Sequence, residues 1–578
     1  MATRNGSAHV VTTTRKYKDK VYRTHLLRRS YREDGKVKNE TLGNLSHLPE
    51  SVIDIIRRSL QGETFVPASA TFEITASRAH GHVHGVSLAM RALGFASLLA
   101  SKPCPERDRV LAMVASRIVA PDTKLATTRR WHTSTLAQEF DVVDATEDDL
   151  YAAMDWLLER QDTIQKKLAA RHLGKGSMVL YDLSSSYFEG STCPLAQRGY
   201  SRDGKPGSLQ VNYGLLTDAR GCPVAVSVFD GNTADSKTFM PAVQRVRKDF
   251  GVAQVVMVGD RGMISQKAIE EMRQDDGVAW ITALKSASIR ALVEQGQLQL
   301  GLFDTRNLVE LSSPDYPGER LVACRNEALA KLRAHKRIEL LAATEQKLAE
   351  IKQRVSDGKL TGQDNIGLRV GRVVNKYKMA KHFALDISDT KLHWSRRQEQ
   401  IDAEAALDGL YIIRTSVQRE AMDAPSCVRN YKSLAQVERA FRSLKTVDLK
   451  VRPIHHRTAD RVRAHILLCM LAYYVEWHMR EAWRELMFAD TEQEIKQTRD
   501  PVAPAQRSAS AKAKAASREL EDGTPVHSFG TLMADLSTIV RNTCRSPLAG
   551  AETPSFEVMT TPTAAQRRAF ELIETITL

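Results

Sequence analysis

The sequence lacks a long apolar segment. Its longest unbroken apolar run, Ile466 to Val475, is about half of the roughly 20 residues that a helix needs to cross a bilayer. The N-terminal stretch MATRNGSAHVVTTTRKYK has no apolar core of the kind that a secretion signal carries. These absences predict a cytoplasmic protein without a membrane partner.

Cysteine is scarce and scattered, and no two of the seven cysteines are spaced as CxxC. They are Cys104, Cys193, Cys222, Cys324, Cys427, Cys469 and Cys544. The odd number and the wide spacing disfavour a disulfide framework and a structural zinc site, and they indicate a reducing compartment. Aromatic residues make up only 6% of the chain, whereas 42% apolar and 26% charged residues are typical of a globular protein.

The positive charge is concentrated in two segments. The chain has 83 Lys and Arg against 69 Asp and Glu, a formal net charge of +14. Residues 1–40 contain eleven basic and four acidic residues, and residues 431–463 contain nine and three. Such segments suggest surfaces for a polyanion such as nucleic acid. Solvated basic faces that keep a protein soluble would give the same pattern, so the charge leaves both interpretations open.

Hydrophobic periodicity predicts an α/β protein. Residues 15–48 alternate polar residues with β-formers around a turn at Glu33–Gly35, and residues 83–173 have helical periodicity. Residues 177–285 read as three strands followed by helix, strand, helix and strand, which indicates a mixed sheet covered by helices. The stretch PAQRSASAKAKAASRE near the C-terminus has the composition of a flexible linker.

These patterns divide the chain into six predicted segments. They are a basic β-element (1–65), a helical region that could bind DNA, form a dimer or only be a scaffold (66–175), the first part of an α/β core (176–285), a β-rich insertion with one long helix (286–425), the second part of the core (426–485) and a C-terminal linker with a helical tail (486–578).

Three acidic residues are candidates for chemistry. Asp182 lies inside an apolar strand, Asp260 follows the apolar strand VVMV, and Glu438 lies at the edge of the apolar stripe of a helix. Carboxylates that converge repel one another unless they hold divalent cations, and two Mg²⁺ ions can catalyse phosphoryl transfer. Taken singly, they could instead be a salt-bridged strand residue, a turn residue and a partner of Arg442.

The segments VLYDLSSSYFEG, VVMVGDRGM and YKSLAQVERAFRSLK resemble the carboxylate motifs of bacterial insertion-sequence DDE transposases over about residues 177–480. The third family motif is Tyr, two residues, Arg, three residues, Glu, six residues and Lys. Tyr431, Glu438 and Lys445 match it, whereas Leu434 occupies the Arg position. Arg439 or Arg442 could replace that arginine. The resemblance implies a ribonuclease-H-like α/β fold, interrupted by the β-rich insertion between the second Asp and the Glu.

The resemblance also implies a cut-and-paste reaction. Asp182, Asp260 and Glu438 would hold two Mg²⁺ ions, for which Mn²⁺ could substitute, to nick DNA at a transposon end. The released 3′-hydroxyl would then attack target DNA in a one-step transesterification. The segment GNTADSKTF resembles another family segment, in which Asn232 is expected to shape a loop and Asp235 to cap a helix.

The expected partners are transposon-end double-stranded DNA and target DNA, bound by a homodimer in the bacterial cytoplasm at the nucleoid. The predicted DNA contacts are Tyr431, Arg439, Arg442, Lys445, Trp394, Arg28 and Arg29. Trp394 is the candidate for stacking on a flipped base, although a tryptophan packed in the core would fit its position as well.

Two other functions are compatible with these motifs. One is a nuclease of the same fold that only hydrolyses DNA, which the long insertion and the lysine seven residues after Glu438 disfavour. The other is a non-catalytic DNA-binding protein derived from a transposase. It is disfavoured because all three acids are present.

Overall fold

The structure is a computed structural model that describes residues 6–18, 20–65, 72–303, 305–545 and 555–578. Small parts of the predicted segments 1–65, 66–175, 286–425 and 486–578 therefore lie outside the described residues. The chain separates into two compact units, one of Met1–Ser77 with Arg541–Met559 and one of Arg78–Val540 with Thr560–Leu578. The boundaries of the six segments remain predictions.

The smaller unit begins with a three-stranded antiparallel sheet in which β2 is the central strand. Its N-terminal elements are β1 (Ala8–Tyr17), β2 (Lys20–Glu33), β3 (Lys36–Asn44), α1 (Glu50–Leu60) and β4 (Glu73–Ala79). Asp34 and Gly35 join β2 to β3 with φ of 53° and 72°. A two-residue hairpin turn of this kind needs positive φ at both positions, which Gly and Asp tolerate best. The predicted hairpin is therefore confirmed.

A group of seven helices follows and confirms the helical periodicity of residues 83–173. The helices are α2 (Gly81–Ala92), α3 (Phe95–Leu99), α4 (Pro105–Val119), α5 (Lys124–Arg130), α6 (Leu136–Glu139), α7 (Glu147–Glu159) and α8 (Gln161–His172). Two of these helices begin with residues that commonly start a helix. Pro105 is the first residue of α4, and Thr146 caps α7 in a capping box with Asp149.

The central sheet has the predicted order of strands and helices. Its first elements are β5 (Ser177–Tyr187), β6 (Gln197–Arg198), β7 (Leu209–Thr217), β8 (Pro223–Asp230), α9 (Asp235–Gln244), β9 (Val255–Val258), α10 (Gln266–Met272) and β10 (Val278–Ala283). β5 pairs antiparallel with β7 and parallel with β9, and β9 pairs parallel with β10. This mixed sheet with flanking helices confirms the α/β class and the ribonuclease-H-like arrangement.

The segment after β10 extends the same sheet. Its elements are α11 (Ser286–Glu294), β11 (Leu308–Leu311), β12 (Arg320–Arg325), α12 (Glu327–Ser356), α13 (Gln363–Tyr377), β13 (Phe383–Ile387), β14 (Leu392–Arg396), α14 (Gln398–Ala405) and β15 (Leu410–Thr415). β15 pairs with β10, and β12 and β11 follow outward, so the sheet has nine strands. The hairpin β13–β14 packs with α12 and α13 around a separate apolar cluster.

Helix α13 was not predicted. Gly367 and Gly371 weaken the intrinsic helix preference of this segment. Ile366, Val370 and Val374 recur every four residues and are all buried, so tertiary packing overrides the weak propensity.

The C-terminal part of the chain contains one long helix of the larger unit. The helices are α15 (Ala424–Lys432), α16 (Leu434–Arg442), α17 (Ala459–Ala482), α18 (Gln493–Thr498), α19 (Ala509–Ser517), α20 (Phe529–Ser537) and α21 (Ala564–Glu574). Strands β16 (Val540–Arg545) and β17 (Phe556–Met559) form a second three-stranded sheet with β4 in the smaller unit. α17 contacts β8 on one side and α2, α4 and α7 on others. The apolar run Ile466–Val475 thus lies in the middle of a helix that is buried on all of its sides.

None of the helices in the described parts of the chain has the length and apolar character that spanning a bilayer requires.

The stretch predicted as a flexible linker is ordered instead. Ala509–Ser517 forms α19, whose N-terminus is capped by Ser508. The Lys514 side chain is 8% exposed, and its ammonium group donates hydrogen bonds to main-chain carbonyls that follow α17, including that of Glu485 at 2.9 Å. The linker prediction was wrong because composition does not show that a lysine can satisfy the carbonyls at the end of another helix.

Replacing Lys514 with Ala should therefore lower the stability of the protein. Loss of the buried ammonium leaves those carbonyls without their donor, and we expect a decrease of about 1–3 kcal/mol in the free energy of unfolding. The measurement is chemical denaturation, with Lys512→Ala as the matched control because Lys512 is exposed on the same helix. Equal stability of the two variants would mean that α19 does not pack as described.

Candidate active site

Two of the three candidate carboxylates are brought together by strand pairing. In the parallel pair β5–β9, Leu180 lies opposite Val258. Asp182 and Asp260 each follow that pair by two residues, so they lie at the same level of two adjacent strands that run in the same direction. The carboxyl edge of parallel strands is where open α/β sheets place their ligand sites.

Asp260 lies in a tight turn directly after β9. The main-chain N–H groups of Met263 and Ile264 donate to its carbonyl at 2.9 and 3.2 Å. A side chain at Gly259 would meet Phe239 and Ile264 at 3.1 Å, so glycine allows the strand to leave the sheet close to α9. The Asp260 carboxylate therefore lies just beyond the carboxyl end of β9, where the residue is exposed.

Glu438 is presented by α16, which packs across β5. Val437, Ala440 and Phe441 form the buried side of the helix, and the Phe441 ring meets the ring of Tyr213 edge-on with 5.7 Å between centroids. Glu438 is on the exposed side, as its position at the edge of the apolar stripe predicted.

The three carboxylates line one cleft of about 280 Å³. The other lining residues are Tyr431, Lys432, Leu434 and Ala435. The Tyr431 hydroxyl donates a hydrogen bond to Oδ1 of Asp260 at 3.3 Å, which ties the start of the third motif to the second acid. Leu434, at the position where the family motif has Arg, adds an apolar wall.

The electrostatics of the cleft favour a cation. Burial, reinforced by the negative charges of Glu438 and Asp260, raises the pKa of the Asp182 carboxyl to about 7, against the hydrogen bond from the Leu183 N–H and the charge of Arg202. Carboxylates that share a partly buried site in this way hold protons or metal ions. Three carboxylates are also the oxygen donors that hard divalent cations take, so the donor set fits such ions.

Arg202 is a charged residue near the cleft that the sequence patterns did not identify. Its guanidinium pairs with Asp235 at 2.5 Å, and its positive charge acts on Asp182. Asp235, predicted as the cap of α9, is instead the first residue of that helix, and Ala234 is its N-cap. The GNTADSKTF segment contains Asp235 but not Arg202, so that motif pointed only to the acidic residue of this ion pair.

Lys445 has an internal partner. Its ammonium group lies 2.9 Å from Oδ1 of Asp203, with the lysine side chain 10% exposed and the aspartate side chain 1% exposed. Arg452 also pairs with Asp203, and the Tyr187 N–H donates to its Oδ2 at 2.9 Å. The structure thus places Lys445 in a buried ion pair beside β5, whereas the motif predicted a contact with DNA.

The other predicted DNA contacts lie in three places. Arg439 and Arg442 are exposed on α16, and Arg28 and Arg29 are partly exposed on β2 of the smaller unit. The ring of Trp394 on β14 is partly buried against the α12–α13 cluster, and the Lys352 ammonium lies 5.5 Å from its centroid. That packing favours the core interpretation of Trp394 over base stacking.

Two models of protein families match parts of the chain. The family model described as the transposase DDE domain matches residues 177–475, just over half of the chain. The model of the IS1634 family transposase N-terminal domain matches residues 10–67. No curated protein gives a significant match.

Several solved structures also match the chain. One is a cryo-electron microscopy structure of a piggyBac transposase synaptic complex with hairpin DNA. It is 9% identical, covers 78% of this chain and 77% of its own, and has a TM-score of 0.33. That similarity is too low to assign a residue.

Lys445→Ala should destabilise the protein. The variant leaves the buried Asp203 with one cation fewer, and we expect a loss of about 1–3 kcal/mol in the free energy of unfolding. Chemical denaturation measures it, with Lys248→Ala as the control because Lys248 is exposed in a similar π-helical turn. If only DNA affinity fell and stability were unchanged, the ion pair would not be the main role of Lys445.

Asp182→Asn should raise the melting temperature at pH 8 in the absence of divalent cations. The folded-state pKa of about 7 exceeds the ordinary value of 3.8, so ionisation of Asp182 costs folding free energy as the pH rises between these values. The neutral amide avoids that cost, and the advantage should vanish near pH 4. Thermal melts of both proteins at the two pH values measure it, and an advantage that does not depend on pH would contradict the shift.

Proposed function

The chain belongs to the insertion-sequence DDE transposases, and we propose that it cleaves DNA at the ends of its own element and joins the released 3′ end to target DNA. The observation that carries this proposal is the convergence of Asp182, Asp260 and Glu438 on one cleft. Asp182 lies in β5, Asp260 in the turn after β9 and Glu438 on α16, and together they supply three carboxylates to one open cleft. Such a cleft can admit a phosphodiester.

DDE transposase domains generally use divalent metal ions. The three carboxylates would hold Mg²⁺, with Mn²⁺ as a substitute, because both ions prefer oxygen ligands. When bound, a pair of such ions activates a water or hydroxyl nucleophile and stabilises the leaving oxygen of the phosphodiester.

The protein groups around the acids would position them and the DNA. Tyr431 orients the Asp260 carboxylate through its hydrogen bond. Arg202 lies close enough to Asp182 to favour its ionised form, the form that binds metal. Arg439 and Arg442 follow Glu438 on the same helix and are exposed, so they are suited to bind phosphates next to the cleft.

The basic N-terminal sheet is the proposed reader of the transposon end. Arg28 and Arg29 lie on its central strand within the match to an N-terminal transposase domain. Inverted repeats occur in pairs, so we propose that two copies of the chain act together on two ends. A homodimer in the DNA complex, at the bacterial nucleoid, follows from that proposal.

The function can be tested with labelled transposon-end DNA, a target plasmid and Mg²⁺. We expect cleavage at the element ends and strand-transfer products. Asp182→Asn, Asp260→Asn and Glu438→Gln should each reduce both by more than about 100-fold, because each removes a metal ligand. DNA binding, measured by mobility shift without metal, should remain.

The matched control is Glu399→Gln, an exposed acid on α14 outside the cleft, which should keep full activity. Cleavage without any joined product would indicate a nuclease that only hydrolyses. Binding without cleavage in the unmodified protein would indicate a non-catalytic descendant of a transposase.

A further inference from the structure

We propose that His172, Cys222 and His478 form a binding site for a borderline transition-metal cation of the Zn²⁺ class, separate from the carboxylate cleft. His172 is the last residue of α8, Cys222 lies in the turn before β8, and His478 lies near the end of α17. The site therefore joins the helical region, the central sheet and the long core helix. None of the three residues is among those that line the carboxylate cleft.

The distances between the ligand atoms are close to those of a metal site. Sγ of Cys222 lies 3.9 Å from Nε2 of His172 and 3.8 Å from Nε2 of His478, and the three ligand atoms lie within 4.8 Å of one another. Tetrahedral zinc has Zn–S bonds of about 2.3 Å and Zn–N bonds of about 2.0–2.1 Å, which set S···N separations of about 3.6 Å. The two S···N separations need a contraction of only a few tenths of an ångström, whereas the two ring nitrogens, which lie within 4.8 Å of each other, would have to approach to about 3.4 Å.

The donor set selects the class of metal. One thiol and two imidazoles are the ligands of zinc sites, whereas Mg²⁺ takes oxygen ligands. Cys222 and His478 are buried, and His172 is partly buried. Burial lowers the pKa of His478 to about 3 and also lowers that of His172, which favours the neutral rings that bind metal, whereas it raises the pKa of the Cys222 thiol, so a bound ion would have to displace the thiol proton.

The surroundings hold these side chains in place. The Asp218 carboxylate accepts hydrogen bonds from the N–H groups of Arg220 and Cys222, both at 2.9 Å, which shapes the turn that carries the thiol. The rings of Tyr474 and Trp477 meet the His478 ring edge-on at 4.7 and 4.9 Å between centroids. These contacts restrict the movement of the turn that carries Cys222 and of the His478 ring.

The Tyr474 hydroxyl is the candidate for a fourth ligand. The Tyr474 hydroxyl lies 3.0 Å from Nε2 of His172, so it or a water molecule can complete the coordination. Metal binding would replace this hydrogen bond with a bond from Nε2 to the ion. Because the three ligands come from separate elements, the ion would act as a cross-link and stabilise the folded chain.

The test uses full-length protein that is stripped with a chelator and then titrated with Co²⁺ and Zn²⁺. Co²⁺ should give a thiolate-to-cobalt charge-transfer band that one equivalent of Zn²⁺ abolishes, and Zn²⁺ should raise the melting temperature. Ions held by the carboxylate cleft give no thiolate band, so Asp182→Asn should retain it. The result is thus independent of the proposed transposition activity.

Cys222→Ser and His478→Gln should weaken Zn²⁺ binding by more than about 100-fold, because losing a ligand costs more than losing a residue that orients one. Cys427→Ser is the matched control, since Cys427 is a buried free cysteine elsewhere in the core. If Cys222→Ser does not fold, His172→Gln at the partly exposed ligand replaces it. Protection of Cys222 from alkylation by Zn²⁺ in the unmodified protein gives a further readout.

Two outcomes would overturn the proposal. One is the absence of a thiolate band and of stoichiometric Zn²⁺ uptake by the unmodified protein. The other is a band of full intensity in Cys222→Ser, which would place the metal on another cysteine.

Discussion

The parallel pairing of β5 with β9 is the constraint on which the candidate site depends. It aligns Leu180 with Val258, and it therefore sets Asp182 of β5 beside Asp260, which follows the carboxyl end of β9. A shift of one residue would turn Asp182 to the other face of the sheet, because successive side chains on a strand alternate. The flanking pairings with β7 and β10 hold that register, since each strand of the pair has a second neighbour.

The burial of α17 supports this sheet from one side. Seventeen of its residues are buried, from Val462 to Met479, and each fully buried Leu or Ile side chain contributes about 1.5–3 kcal/mol. The helix contacts β8 and also α2, α4 and α7, so a single apolar core continues from the helical region into the sheet. The helical region is therefore part of the scaffold of the site, whatever else it binds.

Several basic residues of this positively charged chain bind partners inside the fold. Lys445 pairs with Asp203, and Lys514 binds main-chain carbonyls. The family motif predicted a DNA contact for Lys445, and the charge count placed it in a basic segment, because neither shows which ammonium groups have internal partners. Arg439 and Arg442 are exposed on α16, so a DNA contact through these two residues stays a prediction.

The sequence by itself determined the strands and helices of residues 177–285 and the hairpin at Asp34–Gly35, and it pointed to the three acids that line one cleft, because periodicity, turn residues and motifs are local. Tertiary structure decided the features that depend on contacts between distant residues. Lys445 and Asp203 are 242 positions apart, and Cys222 and His478 are 256 apart. Their meeting depends on how β5, β8 and α17 pack, because local spacing carries no information about which distant side chains share a buried space.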